Sequence, residues 1–214
     1  MCDLEFIVDQ VEPERFAAAP TLIFKLRIDQ PAGALAIHAI ALRCQIRIEP
    51  GRRRYSDQQK QNLLELFGKP SEWSRTVHPM LWTHASTIVT AFQGSTIAEL
   101  PVPCTYDFNV AAMKYFYGLE DGDVPLSLLF SGSVFYDDPE FGLRVSPISW
   151  EKEARFRLPV RTWRHLMDTY YPNIAWLHLR RDVFDRLYEF KSREGIPTWE
   201  QALERLLAAE ETPA

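Results

Sequence analysis

Cysteine is scarce in this 214-residue chain, which has three, at Cys2, Cys44 and Cys104. The three are widely spaced and form no C-x-x-C pair, so the sequence contains neither a disulfide framework nor closely paired zinc ligands. Close histidine pairs are lacking too, because His78 and His84 have five residues between them. We therefore expect reduced thiols, a cytoplasmic location and no bound metal or cofactor.

Long hydrophobic runs and an excess of positive charge are also lacking. No stretch approaches the ~18 consecutive apolar residues of a membrane-spanning helix. The segment MCDLEFIVDQ has no basic start followed by an apolar run, so no secretory signal and no membrane association are expected. The 24 Lys and Arg residues are outnumbered by 29 Asp and Glu, which gives a formal net charge of -5. A general nucleic-acid binder needs a basic surface, so that class is not expected.

Known catalytic signatures are absent, whereas aromatic residues are plentiful. The chain has no G-x-G-x-x-G, P-loop, G-x-S-x-G or H-E-x-x-H pattern. Hydrophobic residues make up 46% of the chain, which suffices for a core that needs no disulfide bonds or structural metal ions. Phe, Trp and Tyr make up 13% of the chain. We expect most of them in the core and a minority on a surface that contacts a partner.

Strands dominate the first three quarters of the chain. In TLIFKLRID and IHAIALRCQIRIE, apolar and polar residues alternate with the period of a half-buried strand. Five further segments have strand character: LWTHASTIVTAF, GSTIAEL, VPLSLLFSGSVFY, GLRVSPISW and EARFRLPV. Residues 106–117 fit either a strand or a helix.

Helical patterns are confined to one short segment and to the C-terminal part. Ser56 followed by Gln59 forms a capping box that predicts a helix over about 57–67. From Arg161 onward the period of the apolar residues becomes helical. The predicted fold is therefore α+β. It has an antiparallel, sandwich-like β domain over residues 1–160 with this one short helix, and a C-terminal helical segment over 161–214 that packs on it.

The stretch LPVPCTYDF raises the question of whether Cys104 is chemically active. A thiol nucleophile needs a basic partner and a group that orients it, and His84 and Asp107 are the candidates. A metal held by some of the same residues is the related possibility. The other interpretation is a small apolar residue next to Pro101 and Pro103, which cannot donate hydrogen bonds to a sheet. We favour this structural role.

Two more segments contain candidate binding residues. In the final predicted helix, four residues share one stripe, which docks either on the protein itself or on a second protein: Trp199, Leu203, Leu206 and Leu207. Trp176 and Tyr171 lie in an aromatic-rich segment and are further candidates for partner binding. The basic run GRRRY, which contains Arg52–Arg54, is interpreted first as a solvated turn and second as a phosphate-binding patch.

Several segments resemble an uncharacterised bacterial family known as a domain of unknown function. They are AAPTLIFKLRI, IHAIALRCQIRIEP, LPVPCTYDF, VPLSLLFSGSVFY and PTWEQALERLL. The resemblance covers nearly the whole chain, and it implies a genomic setting near uptake NiFe-hydrogenases and their maturation proteins. It implies no catalytic residues.

The leading hypothesis is therefore a non-enzymatic accessory protein. It would bind another protein, and the resemblance implies a hydrogenase subunit or maturation factor as the partner, during assembly or maturation. The alternative is a thiol- or metal-dependent enzyme that uses Cys104, His84 and Asp107. The sequence leaves the oligomeric state open.

Overall fold

The fold is α+β with antiparallel sheets, as the sequence predicts. The computed structural model describes residues 3–105, 110–172, 174, 177 and 179–210. The chain divides into two compact units, residues 1–173 and 174–214.

Within the described residues, eight strands form two antiparallel sheets. They are β1 (Glu5–Pro13), β2 (Thr21–Asp29), β3 (Ile37–Ile48), β4 (Met80–Val89), β5 (Ser95–Pro103), β6 (Asp123–Asp138), β7 (Gly142–Pro147) and β8 (Glu153–Pro159). One sheet has the order β1-β2-β5. The other has the order β4-β3-β6-β7, and β8 pairs with the first half of β6, while β7 pairs with its second half.

The core lies between the two sheets, because each sheet directs its apolar face inward. In β3, for example, Ile40, Leu42, Cys44 and Ile46 are buried, whereas the intervening Arg43 is exposed. Aromatic contacts join the two sheets directly. The ring of Phe6 in β1 stacks on Phe130 in β6 with a centroid distance of 4.4 Å.

The α-helices of the first unit comprise the short one predicted over about 57–67, the first one predicted from Arg161 onward, and others between them. They are α1 (Asp57–Asn62), α2 (Leu64–Phe67), α3 (Trp73–Thr76), α4 (Val110–Gly118) and α5 (Val160–Tyr170). The capping box at Ser56 and Gln59 is present. The helix expected over about 57–67 is interrupted at Leu63, whose φ of -99° and ψ of 4° depart from helical values and whose side chain is buried.

Residues 106–117 fit either a strand or a helix in the sequence, and the structure shows that residues 110–117 are helical, within α4. Its buried residues Ala112, Met113, Tyr115 and Phe116 follow the spacing of a helix that is covered on one broad face. Residues 106–109 lie outside the described residues.

The C-terminal helices are divided between the two units. Helix α5 belongs to the first unit, where it contacts β1, β2 and β8. Helices α6 (Arg181–Arg193) and α7 (Trp199–Glu210) belong to the second unit and contact each other. The packing of residues beyond the first unit on the β domain stays a prediction. Over the described residues, no helix has the length and hydrophobicity needed to cross a bilayer.

Candidate functional site

Cys104 lies in the hydrophobic core, immediately after β5. Its side chain is fully buried, and its backbone N–H donates to the carbonyl of Pro20 at 2.7 Å. Its Sγ lies 3.5 Å from the carbonyl oxygen of Val102. Burial raises the pKa of the Cys104 thiol to about 12. At neutral pH the free thiol is therefore protonated, and a protonated thiol is a weak nucleophile.

His84 and Cys104 lie on different sides of the larger sheet. In the pairing of β3 with β4, Cys44 lies opposite Ala85, and Gln45 lies opposite His84. Because Cys44 faces the core and side chains alternate along a strand, His84 faces away from the core, and it is exposed. The structure therefore does not bring His84 and Cys104 together. Asp107 lies outside the described residues.

We expect the two buried thiols of the native protein to be almost unreactive. Burial raises the pKa of Cys44 to about 12, as it does for Cys104. In a Cys2→Ser variant at pH 8, Ellman's reagent should label neither thiol before denaturation and both after it. Rapid labelling of the native variant, removed by Cys104→Ser, would contradict the structural role of Cys104.

The same burial has a consequence for stability at high pH. The native pKa of about 12 exceeds the ordinary value of 9.0, so the folded state binds the thiol protons more tightly than the unfolded state. This contribution is fully present below pH 9 and declines as the pH rises from 9 toward 12. Alkaline conditions should therefore weaken the fold.

Within the part of the chain that the structure describes, no group of three His, Cys, Asp or Glu residues could hold a metal ion. The expectation that the protein binds no metal stays a prediction. Elemental analysis of protein purified under mild conditions measures the metal content, and one equivalent of metal that survives dialysis would contradict the prediction.

The second unit carries a continuous row of aromatic and leucine side chains on α6 and α7. The Trp199 ring packs on Phe184 and Tyr188, with centroid distances of 5.2 and 6.3 Å. The Lys191 ammonium lies 5.6 Å from the centroid of the same ring. Leu203 follows Trp199 by one helical turn, so the apolar stripe continues along α7.

This row, called the α6–α7 apolar surface below, remains substantially exposed. Exposed fractions are 44% for Phe184, 56% for Tyr188, 36% for Leu203, 39% for Leu206 and 63% for Leu207. Helix α6 has no buried residue, and in α7 only Ala202 is buried among the described side chains. The structure thus places Phe184 and Tyr188 of α6 beside the predicted stripe of α7, which comprises Trp199, Leu203, Leu206 and Leu207.

The other two candidates for partner binding differ from these. Tyr171 is the C-cap residue that follows α5, is partly buried and packs against the hydrophobic core of the first unit. Its backbone N–H donates to the carbonyl of Met167 at 2.7 Å. Trp176 lies outside the described residues.

A second candidate site is a cavity of about 770 Å³ in the first unit. It lies between the turn after β3 and the turn before β6. We call it the arginine pocket, since four arginines line it together with Asp121 and Asp123. These are Arg52, Arg53, Arg54 and Arg157.

Arg53 forms the fixed wall of the arginine pocket. Its guanidinium donates to the carbonyl oxygens of Asp121 at 3.1 Å and Asp123 at 3.2 Å, and to Oε1 of Gln59 at 3.3 Å. It also lies over the Tyr55 ring, 5.1 Å from the centroid. Every one of these contacts is to a neutral group, so the positive charge of Arg53 is held in place without being neutralised by a bonded carboxylate.

Buried polar groups next to Arg53 form hydrogen bonds that hold its neighbours in place. Gln59 is buried and donates from Nε2 to Oδ1 of Asp121 at 3.0 Å. The Tyr55 hydroxyl donates to the Pro50 carbonyl at 2.8 Å and lies 2.8 Å from the Tyr115 hydroxyl, which is therefore the donor to it. Burial raises the pKa of both tyrosines, so both hydroxyls remain protonated and the network stays intact at neutral pH.

The remaining arginines differ in how far they are paired. Arg52 lies 3.9 Å from the carboxylate of Glu49, a long contact for an ion pair. Arg54 and Arg157 are exposed, and their guanidinium groups have no hydrogen bond or ion pair to any described residue. The run Arg52–Arg54 is recognisable in the sequence, whereas the place of Arg157 beside it is not. The missing signal was the pairing of β8 with β6, which joins residues far apart in the chain.

The chain matches the Family of unknown function (DUF6084) over residues 1–214, and it belongs to that family. No curated protein matches it.

Two solved structures resemble the chain distantly. One is the solution structure of a putative late embryogenesis abundant protein, with 17% identity over 73% of this chain and 71% of that chain, and a TM-score of 0.32. The other is beta-glucosidase 3B from Thermotoga neapolitana in complex with α-D-glucose. It has 14% identity over 73% of this chain and 17% of that chain, and a TM-score of 0.25.

Proposed function

We propose that this protein is a non-enzymatic accessory protein that binds another protein through the α6–α7 apolar surface. The observation that carries the proposal is the row of large apolar side chains on two helices that bury almost none of their own residues. Helices of this length are marginal in water unless their apolar faces are covered. A partner that covers the row would gain roughly 1.5–3 kcal/mol for each fully buried large side chain.

The partner we propose is a subunit or maturation factor of a NiFe-hydrogenase. Support for this choice comes from the resemblance noted in the sequence, which implies a genomic setting near uptake NiFe-hydrogenases and their maturation proteins. The protein would then act during assembly or maturation, in the cytoplasm. The burial of Cys104 and the outward position of His84 favour this non-enzymatic role over a thiol enzyme.

The decisive variant is the double substitution Leu203→Gln with Leu207→Gln. Glutamine has a helix propensity close to that of leucine, so the change removes apolar surface without adding charge or breaking the helix. We expect a host strain carrying this variant to lose most of the hydrogenase activity that the wild-type chain restores to a deletion strain. The hydrogenase component that co-purifies with the tagged wild-type chain from the host strain should no longer co-purify with the tagged variant.

The matched control is Gln201→Ala with Glu204→Gln, which changes two exposed side chains of the same helix outside the leucine stripe. This control should retain both hydrogenase activity and co-purification. A leucine variant that melts at a lower temperature, yet keeps both functions, would show that the stripe serves internal packing and would refute the proposal. Self-association of the wild-type chain that depends on the two leucines would refute the choice of partner.

A further inference from the structure

We propose that the arginine pocket is a binding site for a small molecule that carries at least two negative charges on oxyanion groups, such as phosphate or carboxylate. This site is separate from the α6–α7 apolar surface, and the proposal does not depend on the proposed function.

The charge of the pocket favours the binding of anions. Its lining contains four arginines and two aspartates, so its formal charge is +2, whereas the whole chain carries -5. A concave site that reverses the sign of the protein concentrates small anions locally. The same negative total charge disfavours long polyanions such as nucleic acids, which would contact the surrounding surface as well.

Preorganisation of Arg53 favours anion binding as well. The contacts of Arg53 to two backbone carbonyls and to the buried Gln59 fix its guanidinium before any ligand arrives. The carboxylate of Asp121 accepts from Gln59 and is therefore already engaged. A fixed positive group binds an oxyanion with little further loss of conformational freedom.

The pocket also contains hydrogen-bond donors that are available to a ligand. Arg54 and Arg157 lie on separate parts of the chain, one before α1 and the other in β8, and both line the same cavity. Their guanidinium groups have no partner among the described residues. Guanidinium forks bind phosphate and carboxylate oxygens in pairs, and such charge-assisted bonds are stronger than neutral ones. Two such groups on separate segments that line one pocket therefore suit a ligand with more than one anionic group.

The volume of the pocket is large enough for a ligand of metabolite size. About 770 Å³ is within the usual range of about 300–1,000 Å³ for small-molecule sites. A single orthophosphate ion would leave most of this space empty. An organic phosphate or a polycarboxylate of metabolite size fits the space and the charge together.

Isothermal titration calorimetry on the full-length protein tests the proposal, with inorganic pyrophosphate, citrate and acetate as probes at constant ionic strength. We expect one equivalent of pyrophosphate or citrate to bind saturably, and acetate to bind far more weakly. The double variant Arg54→Gln with Arg157→Gln should weaken this binding about tenfold or more, as expected for the loss of charge-assisted bonds. Preference for pyrophosphate assigns the site to phosphate compounds, and preference for citrate to polycarboxylates.

The matched control is Arg43→Gln, which removes an exposed and unpartnered arginine from the outer face of β3. It changes the net charge by one and should leave the dissociation constant within about twofold, because screening weakens distant surface charges. The proposal is overturned if neither pyrophosphate nor citrate binds saturably. It is also overturned if binding is unaffected in the Arg54 and Arg157 variant, or if Arg43→Gln weakens binding as much as that variant does.

Discussion

Gly132→Ala is expected to prevent stable folding of the β sandwich. Gly132 lies in the middle of β6, opposite Leu42 of β3, with a φ of 135° that side-chain-bearing residues rarely adopt. A Cβ added there would lie 2.0 Å from the carbonyl oxygen of Ala41. Relief would require the two central strands of the larger sheet to separate. We expect a loss above about 4 kcal/mol, a large part of the ~5–15 kcal/mol stability of a typical domain.

The matched control for this change is Gly142→Ala at the start of β7. Gly142 also has a positive φ, of 70°, but a Cβ there would meet nothing within 4 Å. The control should therefore cost only about 1–2 kcal/mol of backbone strain. Soluble yield, circular dichroism and urea unfolding compare the two variants. Similar unfolding midpoints for Gly132→Ala and Gly142→Ala would contradict the close approach of β6 to β3 at Gly132.

Trp163→Ala should cause the second large loss of stability. Trp163 is fully buried on α5, stacks on Phe116 with a centroid distance of 4.8 Å and makes a T-shaped contact with Tyr117 at a centroid distance of 5.0 Å. Truncation removes these contacts and leaves a cavity where α5 meets α4. Such changes cost about 3–5 kcal/mol. Urea unfolding followed by circular dichroism measures the difference.

A second substitution at the same position separates packing from hydrogen bonding. The indole Nε1 of Trp163 is buried and has no hydrogen-bond acceptor among the described residues. Trp163→Phe removes this unpaired donor and retains an aromatic ring, so it should destabilise far less than alanine. Trp150→Ala is the surface control, because Trp150 is 84% exposed, and it should change stability by less than about 0.5 kcal/mol. Equal losses at the two tryptophans would contradict the burial of Trp163.

The strands could be predicted because a period of two is a local property of the sequence. In β3, Ile40 to Ile48 shows the pattern directly, and its burial follows that pattern. Helix α4 could not be assigned with the same ease. Its residues Tyr115 and Phe116 pack on other aromatic rings, so apolar residues occur on more of its circumference than in an amphipathic helix.

The candidate sites were predictable only where their residues are close in sequence. The stripe through Trp199, Leu203 and Leu206 could be recognised from helical spacing alone. The arginine pocket could not, because Arg157 joins Arg53 through strand pairing and not through a motif. The special role of Gly132 also depends on a neighbouring strand, so its sequence context FSGSV gave no indication of it.

The order in which strands pair has a consequence for the rate of folding. Leu26 of β2 lies opposite Ala98 of β5, and Cys44 of β3 lies opposite Phe130 of β6, so both sheets are closed by partners from distant parts of the chain. Such closures lose chain entropy before any pairing energy is gained. Sheets of this kind reach the native state in milliseconds to seconds, far more slowly than helical bundles. Until β6 arrives, β3 would present its apolar face and one unpaired edge to other chains, which makes the period between synthesis of β3 and of β6 the time of greatest aggregation risk.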